Sequence, residues 1–154
     1  MESLKRMRIP KAVVQERMER FVKACRERRI KITHQRLEIY RELASTGKHP
    51  DAIMVYERVR KRMPTVSLDT VYRNLRQLER HGLISIVGMS HERLRFDANL
   101  EPHYHFTCVK CWKICDFQSG HRKRIAWPDG AEAFGQPLSL HLEVRGICKD
   151  CQSR

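Results

Sequence analysis

Apolar residues in 12–30, AVVQERMERFVKACRERRI, recur every three or four positions, placing Val14, Met18, Phe21, Val22 and Cys25 on one face with charges opposite. That period predicts an amphipathic helix. Thr33 suits the N-cap of a second helix, HQRLEIYRELAS, with Leu37, Tyr40 and Ala44 inward and Gly47 as its end. His49 precedes Pro50, a position that favours extended backbone. Asp51 then caps a third helix whose Val55, Val59 and Met63 face inward and which Pro64 closes. Ser67 caps a fourth, LDTVYRNLRQLERH, with Val71, Leu75 and Leu78 inward and Gly82 as its stop. LISIVG and RLRF follow as two short strands around a turn at Gly88–Glu92. Three helices, a basic helix and a hairpin make the order of a winged helix-turn-helix.

Beyond Phe96 the pattern changes. DANLEP reads as a polar connector, while YHFTCV, KICDF and LSLHLEV read as strands. SGHRKRIAWPDGAEAFG has helical potential that Pro128, Asp129 and Gly130 interrupt. The fold class is therefore α+β: a winged-helix domain over residues 1–96 and a smaller α/β domain over 97–154.

Charge separates the same two parts. Residues 1–96 carry 23 basic and 11 acidic side chains, net +12, whereas 97–154 carry 8 and 7, net +1. A solvated charged face would explain one basic helix. The helix order, the following hairpin and the net charge of the half together favour double-stranded DNA as the partner. On and around the fourth helix the candidate contacts are Ser67, Thr70, Tyr72, Arg73 and Arg76, with Arg36 from the second helix; Arg80 lies on the same outer face. No apolar run approaches the roughly 20 residues of a membrane span, and the start, MESLKRMRIPK, lacks a secretory signal. The expectation is a cytoplasmic protein.

Six cysteines in a reducing compartment are poorly explained as disulfides. Four of them form two Cys-x-x-Cys pairs, Cys108 with Cys111 and Cys148 with Cys151, a spacing suited to a closed structural zinc site. Coincidental motifs or a disulfide pair are the alternatives. Cys25 on the first helix and Cys115 on a strand read as buried small hydrophobes. His103 and His105, one residue apart, project from one face of a strand. Asp97 and Asp116 flank them, and imidazole with carboxylate suits iron(II), manganese(II) or zinc.

ITHQRLEIYREL, HPDAIMVYERV, VSLDTVYRNLRQLERHGLI, RLRFD, HYHFTCVKCWKICDF and GICKDC together resemble the ferric uptake regulator family, over nearly the whole chain from about Lys11. That resemblance implies a winged helix hinged to an α/β dimerisation domain, in a homodimer that binds palindromic operators when metallated. It implies a regulatory Fe(2+) or Mn(2+) held by His49, Asp97, His103, His105 and Asp116, and a structural Zn(2+) held by Cys108, Cys111, Cys148 and Cys151. Three histidines with two aspartates resemble the peroxide-sensing (PerR) branch, since iron-responsive members usually have glutamate where Asp116 stands and a longer histidine-rich run. In that branch bound iron reacts with peroxide and oxidises a ligand histidine, which the resemblance places at His49 or His103. Arg145, where the family often has tyrosine, and the break at Pro128–Gly130 depart from the pattern and bear on dimer details.

The leading expectation is thus a metal-dependent, peroxide-responsive repressor and not an enzyme. An iron, manganese or zinc uptake regulator of the same architecture is the alternative. A hydrolytic metalloenzyme lacks a general base or a substrate-pocket signature, and a thiol redox protein would need cysteine pairs that zinc leaves inert.

Overall fold

The computed structural model describes residues 9–90, 93–118, 128–137 and 142–153. The chain divides into two compact units, Met1–Glu101 and Pro102–Arg154. The division falls within the connector DANLEP, between Glu101 and Pro102, rather than before it, because Asp97 still pairs with Ser85 in a hairpin and Ala98 is buried in the core of the first unit. Among the described residues no helix is long and apolar enough to cross a membrane.

The first unit is built from α1 (Lys11–Glu27), α2 (His34–Ala44), α3 (Ala52–Val59), α4 (Leu68–Arg80), β1 (Ser85–Ser90) and β2 (Arg93–Asp97). Three of these helices begin where a side-chain oxygen accepts an otherwise unsatisfied backbone N–H. Thr33 Oγ1 accepts from Arg36, Asp51 Oδ1 from Met54 and Ser67 Oγ from Thr70. Gly82, at φ +64, ends α4: its N–H donates to Glu79 and that of Leu83 donates to Leu78, a doubly bonded left-handed cap. Arg29, at φ +55, closes α1 in the same way, with Ile30 donating to Cys25. The helices meet over Met18, Phe21, Ile39, Leu43, Val55 and Leu75, all buried, and Phe21 stacks on Tyr40 with ring centroids 3.9 Å apart.

Three local expectations change. The third helix stops at Val59 with Arg60 as its C-cap, short of Met63, and the chain passes into a turn in which the Arg62 and Met63 N–H groups both donate to the Val59 carbonyl at 2.9 Å. Met63 still packs against the core from the turn that follows. The first strand of the hairpin runs through Gly88 to Ser90, with a register irregularity between Ile86 and Gly88, so the turn is shorter than the span Gly88–Glu92; residues 91–92 lie outside the described ones. His49, expected in extended backbone, has φ +49.

The second unit is a three-stranded sheet in the order β4-β3-β5: β3 (Tyr104–Cys108) lies between antiparallel β4 (Ile114–Phe117) and parallel β5 (Glu143–Gly146). A short helix, α5 (Lys149–Gln152), follows. The strand expected over LSLHLEV begins only at Glu143, and residues 138–141 lie outside the described ones. Of the interrupted helical segment, 119–127 also lie outside; Pro128 to Gly130 form a turn and Ala131–Phe134 a single 3-10 turn.

Candidate metal centres and nucleic-acid interface

The parallel pairing of β3 with β5 places Cys108, the last residue of β3, opposite Gly146. The chain then turns in two short knuckles. One holds Cys111 and closes through Trp112, at φ +58, whose N–H donates to the Cys108 carbonyl at 2.9 Å. The other starts α5, with Cys148 at its N-cap and the Cys151 N–H donating to the Cys148 carbonyl. Gly146 permits the approach, since a Cβ there would stand 3.0 Å from the Phe106 ring. As a result the four sulfurs lie within 4.8 Å of one another.

Their spacing matches a tetrahedral ion. Two sulfurs about 2.3 Å from one zinc stand about 3.7 Å apart, and Cys111 Sγ and Cys148 Sγ are 3.7 Å apart. The Cys148 N–H donates to Cys108 Sγ at 3.3 Å. With a second backbone donor from Cys111 it holds the Cys108 thiol down at about 6. Hydrogen bonding with Cys148 and Cys111 pushes Cys151 up to about 12. Zinc binding deprotonates its thiol ligands, so the held-down Cys108 thiol is the one in the cluster readiest to take an ion. Lys113 pairs with Asp150 at 3.3 Å, and Lys110 donates to the Cys151 carbonyl, tying the first knuckle to α5.

Cys25 and Cys115 stand apart from this cluster. Cys25 is fully buried, as expected, and burial raises its thiol. Cys115 is half-buried opposite Phe106 and is also raised chiefly by burial, a packing residue more exposed than expected.

The second donor set is divided between the units. In the second unit His103 precedes β3 and His105 lies on it, and their Nε2 atoms are 3.0 Å apart. Two nitrogens about 2.1 Å from one ion at a right angle would be separated by about that distance. Asp116, the register partner of His105 on β4, brings Oδ1 within 3.5 Å of His105 and 3.9 Å of His103. Two imidazoles and a carboxylate thus converge on one point, a donor set fitting iron(II), manganese(II) or zinc.

In the first unit His49 and Asp97 form a buried pair, with Nε2 and Oδ2 3.4 Å apart. The left-handed backbone at His49 costs a non-glycine residue on the order of 1–3 kcal/mol. It persists because β2 grips the segment around it. Arg95 Nε donates to the His49 carbonyl and Nη2 to that of Lys48 at 2.8 Å, and the Phe96 N–H donates to Pro50 at 3.1 Å. Among the described residues Arg93, more than half exposed, reaches only the side chain of Asp51, at 3.5 Å, and makes no bond to this backbone. Arg95 carries no sequence signal for this task. Its separation of 46 residues from His49 is closed only by the fold.

On α4, Tyr72, Arg73, Arg76 and Arg80 are exposed, as the helical period predicts. Among the described residues, Arg73 makes only a solvent-exposed pair with Asp69 at 3.2 Å, which adds little stability and which a phosphate could replace. Ser67 and Thr70 spend their hydroxyls partly on each other, 2.9 Å apart at the helix start. Arg36 is differently placed. Its Nε donates to Asn74 Oδ1 at 3.0 Å, Nη2 to Gln77 Oε1 at 2.5 Å and Nη1 to the Lys31 carbonyl, so it ties α4 to α2 and the segment before it. Asn74, overlooked in the sequence, is the buried partner in that brace and donates back to the Thr70 carbonyl.

The ferric uptake regulator family model matches residues 27–127. The peroxide-responsive repressor PerR of Staphylococcus aureus is 31% identical over 147 residues, covering 92% of this chain and 95% of the relative. Among solved structures, the ferric uptake regulator Fur of Helicobacter pylori, described as having three functional metal-binding sites, aligns with TM-score 0.66 at 25% identity over 97% of both chains. PerR of Streptococcus pyogenes, described with peroxide sensing and gene regulation, aligns with TM-score 0.51 at 27% identity over 88% of this chain and 92% of that one.

Proposed function

The chain belongs to the ferric uptake regulator family, and we propose that it is a cytoplasmic, homodimeric repressor whose operator binding depends on one regulatory metal and is lost on reaction with peroxide. The observation that carries the reading is the donor set. His103, His105 and Asp116 converge in one unit, and His49 and Asp97 are buried together in the other. An ion shared by both sets would fix the angle between the DNA-binding unit and the dimerising unit. That angle sets the separation of the two α4 helices in a dimer, so metal occupancy and operator affinity become linked equilibria. The cysteine tetrad would hold a structural zinc, joining the end of β3 to α5.

Iron(II), if bound there, would promote cleavage of peroxide, the two-electron oxidant whose one oxygen would pass to a ligand imidazole and whose other would leave as water. The chain's part is to present His49 and His103 as the side chains that take up oxygen. An imidazole oxidised at its ring carbon would keep both nitrogens but no longer offer a donor lone pair, so the ligand set would fall by one and the metal's hold on the two units would be lost. Arg73, Arg76 and Tyr72 would face the major groove, with the β1-β2 hairpin on the backbone. Dimerisation is favoured by the thin second unit, where Val109, Phe117 and Val144 are exposed at 46%, 39% and 39%.

The test loads the protein with iron(II) or manganese(II), adds low peroxide and weighs its peptides. One added oxygen on the His49 or His103 peptide, with iron alone, is the expected result. Unmodified peptides together with metal-dependent operator binding would identify a metal uptake regulator instead.

A further inference from the structure

We propose that Arg95 is a positioning residue for the regulatory metal: its guanidinium holds the His49 backbone in the left-handed conformation that sets the imidazole beside Asp97. The inference rests on the reading of His49 and Asp97 as ligands. Three observations in the first unit lead to it.

His49 combines two disfavoured features, a positive φ in a non-glycine residue and a following proline that pulls the backbone toward extended geometry. Left to local preference, this position would relax and carry its side chain away. The carbonyls on either side of the His49 amide plane and beyond it, those of Lys48 and His49, both turn toward β2, where one guanidinium serves both. A charged donor in a half-buried setting makes these the strongest polar restraints on the bend, and a fork of fixed geometry can satisfy two carbonyls where an ammonium satisfies one.

The side chain that results is directed. Asp97, two residues after Arg95 on the same strand, meets His49 Nε2 at 3.4 Å, and both are almost fully buried. One strand therefore supplies a candidate ligand and, two residues earlier, the group that brings the other ligand to it. Because β2 is half of the hairpin expected to touch DNA, the same contact joins the conformation of His49 to the wing.

The test compares Arg95→Met, Arg95→Lys and, as a control on the same strand, Arg93→Met. Each protein is prepared with its zinc in place, checked for zinc content and urea midpoint, and titrated with Mn(2+) by calorimetry. Arg95→Met should bind Mn(2+) about 10- to 100-fold more weakly, the range for groups that orient ligands. Arg95→Lys should fall between, and Arg93→Met should match the unaltered protein. In metal-free, histidine-labelled samples the ring resonances of His49 should shift in Arg95→Met and stay in Arg93→Met, a readout that general loosening of the hairpin would move in both. Should Arg95→Met fail to fold, Arg95→Lys decides alone. Mn(2+) affinity unchanged in the folded Arg95 variants overturns the inference while leaving the regulatory site intact. An unaltered protein that binds no Mn(2+) overturns both.

Discussion

His49 Nε2 and Asp97 Oδ2 stand 3.4 Å apart with the two side chains 1% and 5% exposed, although 48 positions separate them in the chain. A histidine and an aspartate buried together cost desolvation that folding alone does not reward. A bound cation would offset it. Asp97→Asn keeps the volume and removes the charge, so Mn(2+) affinity should fall at least 10-fold while the circular dichroism of the metal-free protein is unchanged. Calorimetric titration measures it, and equal affinity would remove Asp97 from the ligand set.

Cys108 is the most buried residue of the tetrad, and backbone N–H groups hold its thiol down at about 6. Replacing it with serine should take the zinc content of the purified chain from one per protomer to near zero. Structural zinc is worth about 10 kcal/mol or more in small domains, so the second unit should unfold and sedimentation should report a monomer. Zinc assay and ultracentrifugation check both, and a zinc-free dimer would contradict the structural role.

Arg73 and Arg36 should fail in different ways. Arg73→Ala removes an exposed guanidinium, so operator affinity should drop about 5- to 100-fold, and if the contact is to phosphate the slope of log affinity against log salt should fall by about one. Arg36→Ala leaves Asn74 and Gln77 on α4 without this partner and should lower the stability of the first unit by about 1–3 kcal/mol, with the salt slope unchanged. Salt-dependent DNA titrations beside urea unfolding distinguish the two.

Tyr40 is buried against Phe21, and burial pushes its phenol from 10.0 up to about 12. The folded chain keeps the phenol protonated where the unfolded chain has lost it. Stability is therefore fully present below pH 10 and falls as pH rises toward 12, by about 2–3 kcal/mol. The buried thiol of Cys25, also raised, acts with the same sign. Urea midpoints at rising alkaline pH should decline less steeply in Tyr40→Phe, and parallel declines would assign the effect elsewhere.

Arg29 holds φ +55 at the end of α1 with its side chain exposed. Glycine adopts that backbone without the steric cost, against which stands the greater freedom it gives the unfolded chain. Arg29→Gly should raise stability by roughly 0.5–1 kcal/mol, read from the urea midpoint, and a loss would show that the Arg29 side chain contributes more than its backbone costs.

Much of this architecture is local, and local order is what a chain writes plainly. The caps at Thr33, Asp51 and Ser67, the left-handed stop at Gly82, the outward face of α4 and the two cysteine knuckles each depend on residues within one or two helical turns. The paired spacing of Cys108, Cys111, Cys148 and Cys151 carries its own chemistry, and His103 and His105 share a face because they are two apart. Other features depend on groups that meet only after the chain has folded. The left-handed turn at His49 runs against the preference imposed by Pro50 and is held by Arg95 and Phe96 on β2. Arg36 looks like a nucleic-acid contact by charge, yet its donors go to Asn74 and Gln77 because α2 packs against α4. A charge or a proline states a local preference; which buried donor meets which acceptor across dozens of residues is settled by packing, where an unmet polar group costs more than a strained dihedral.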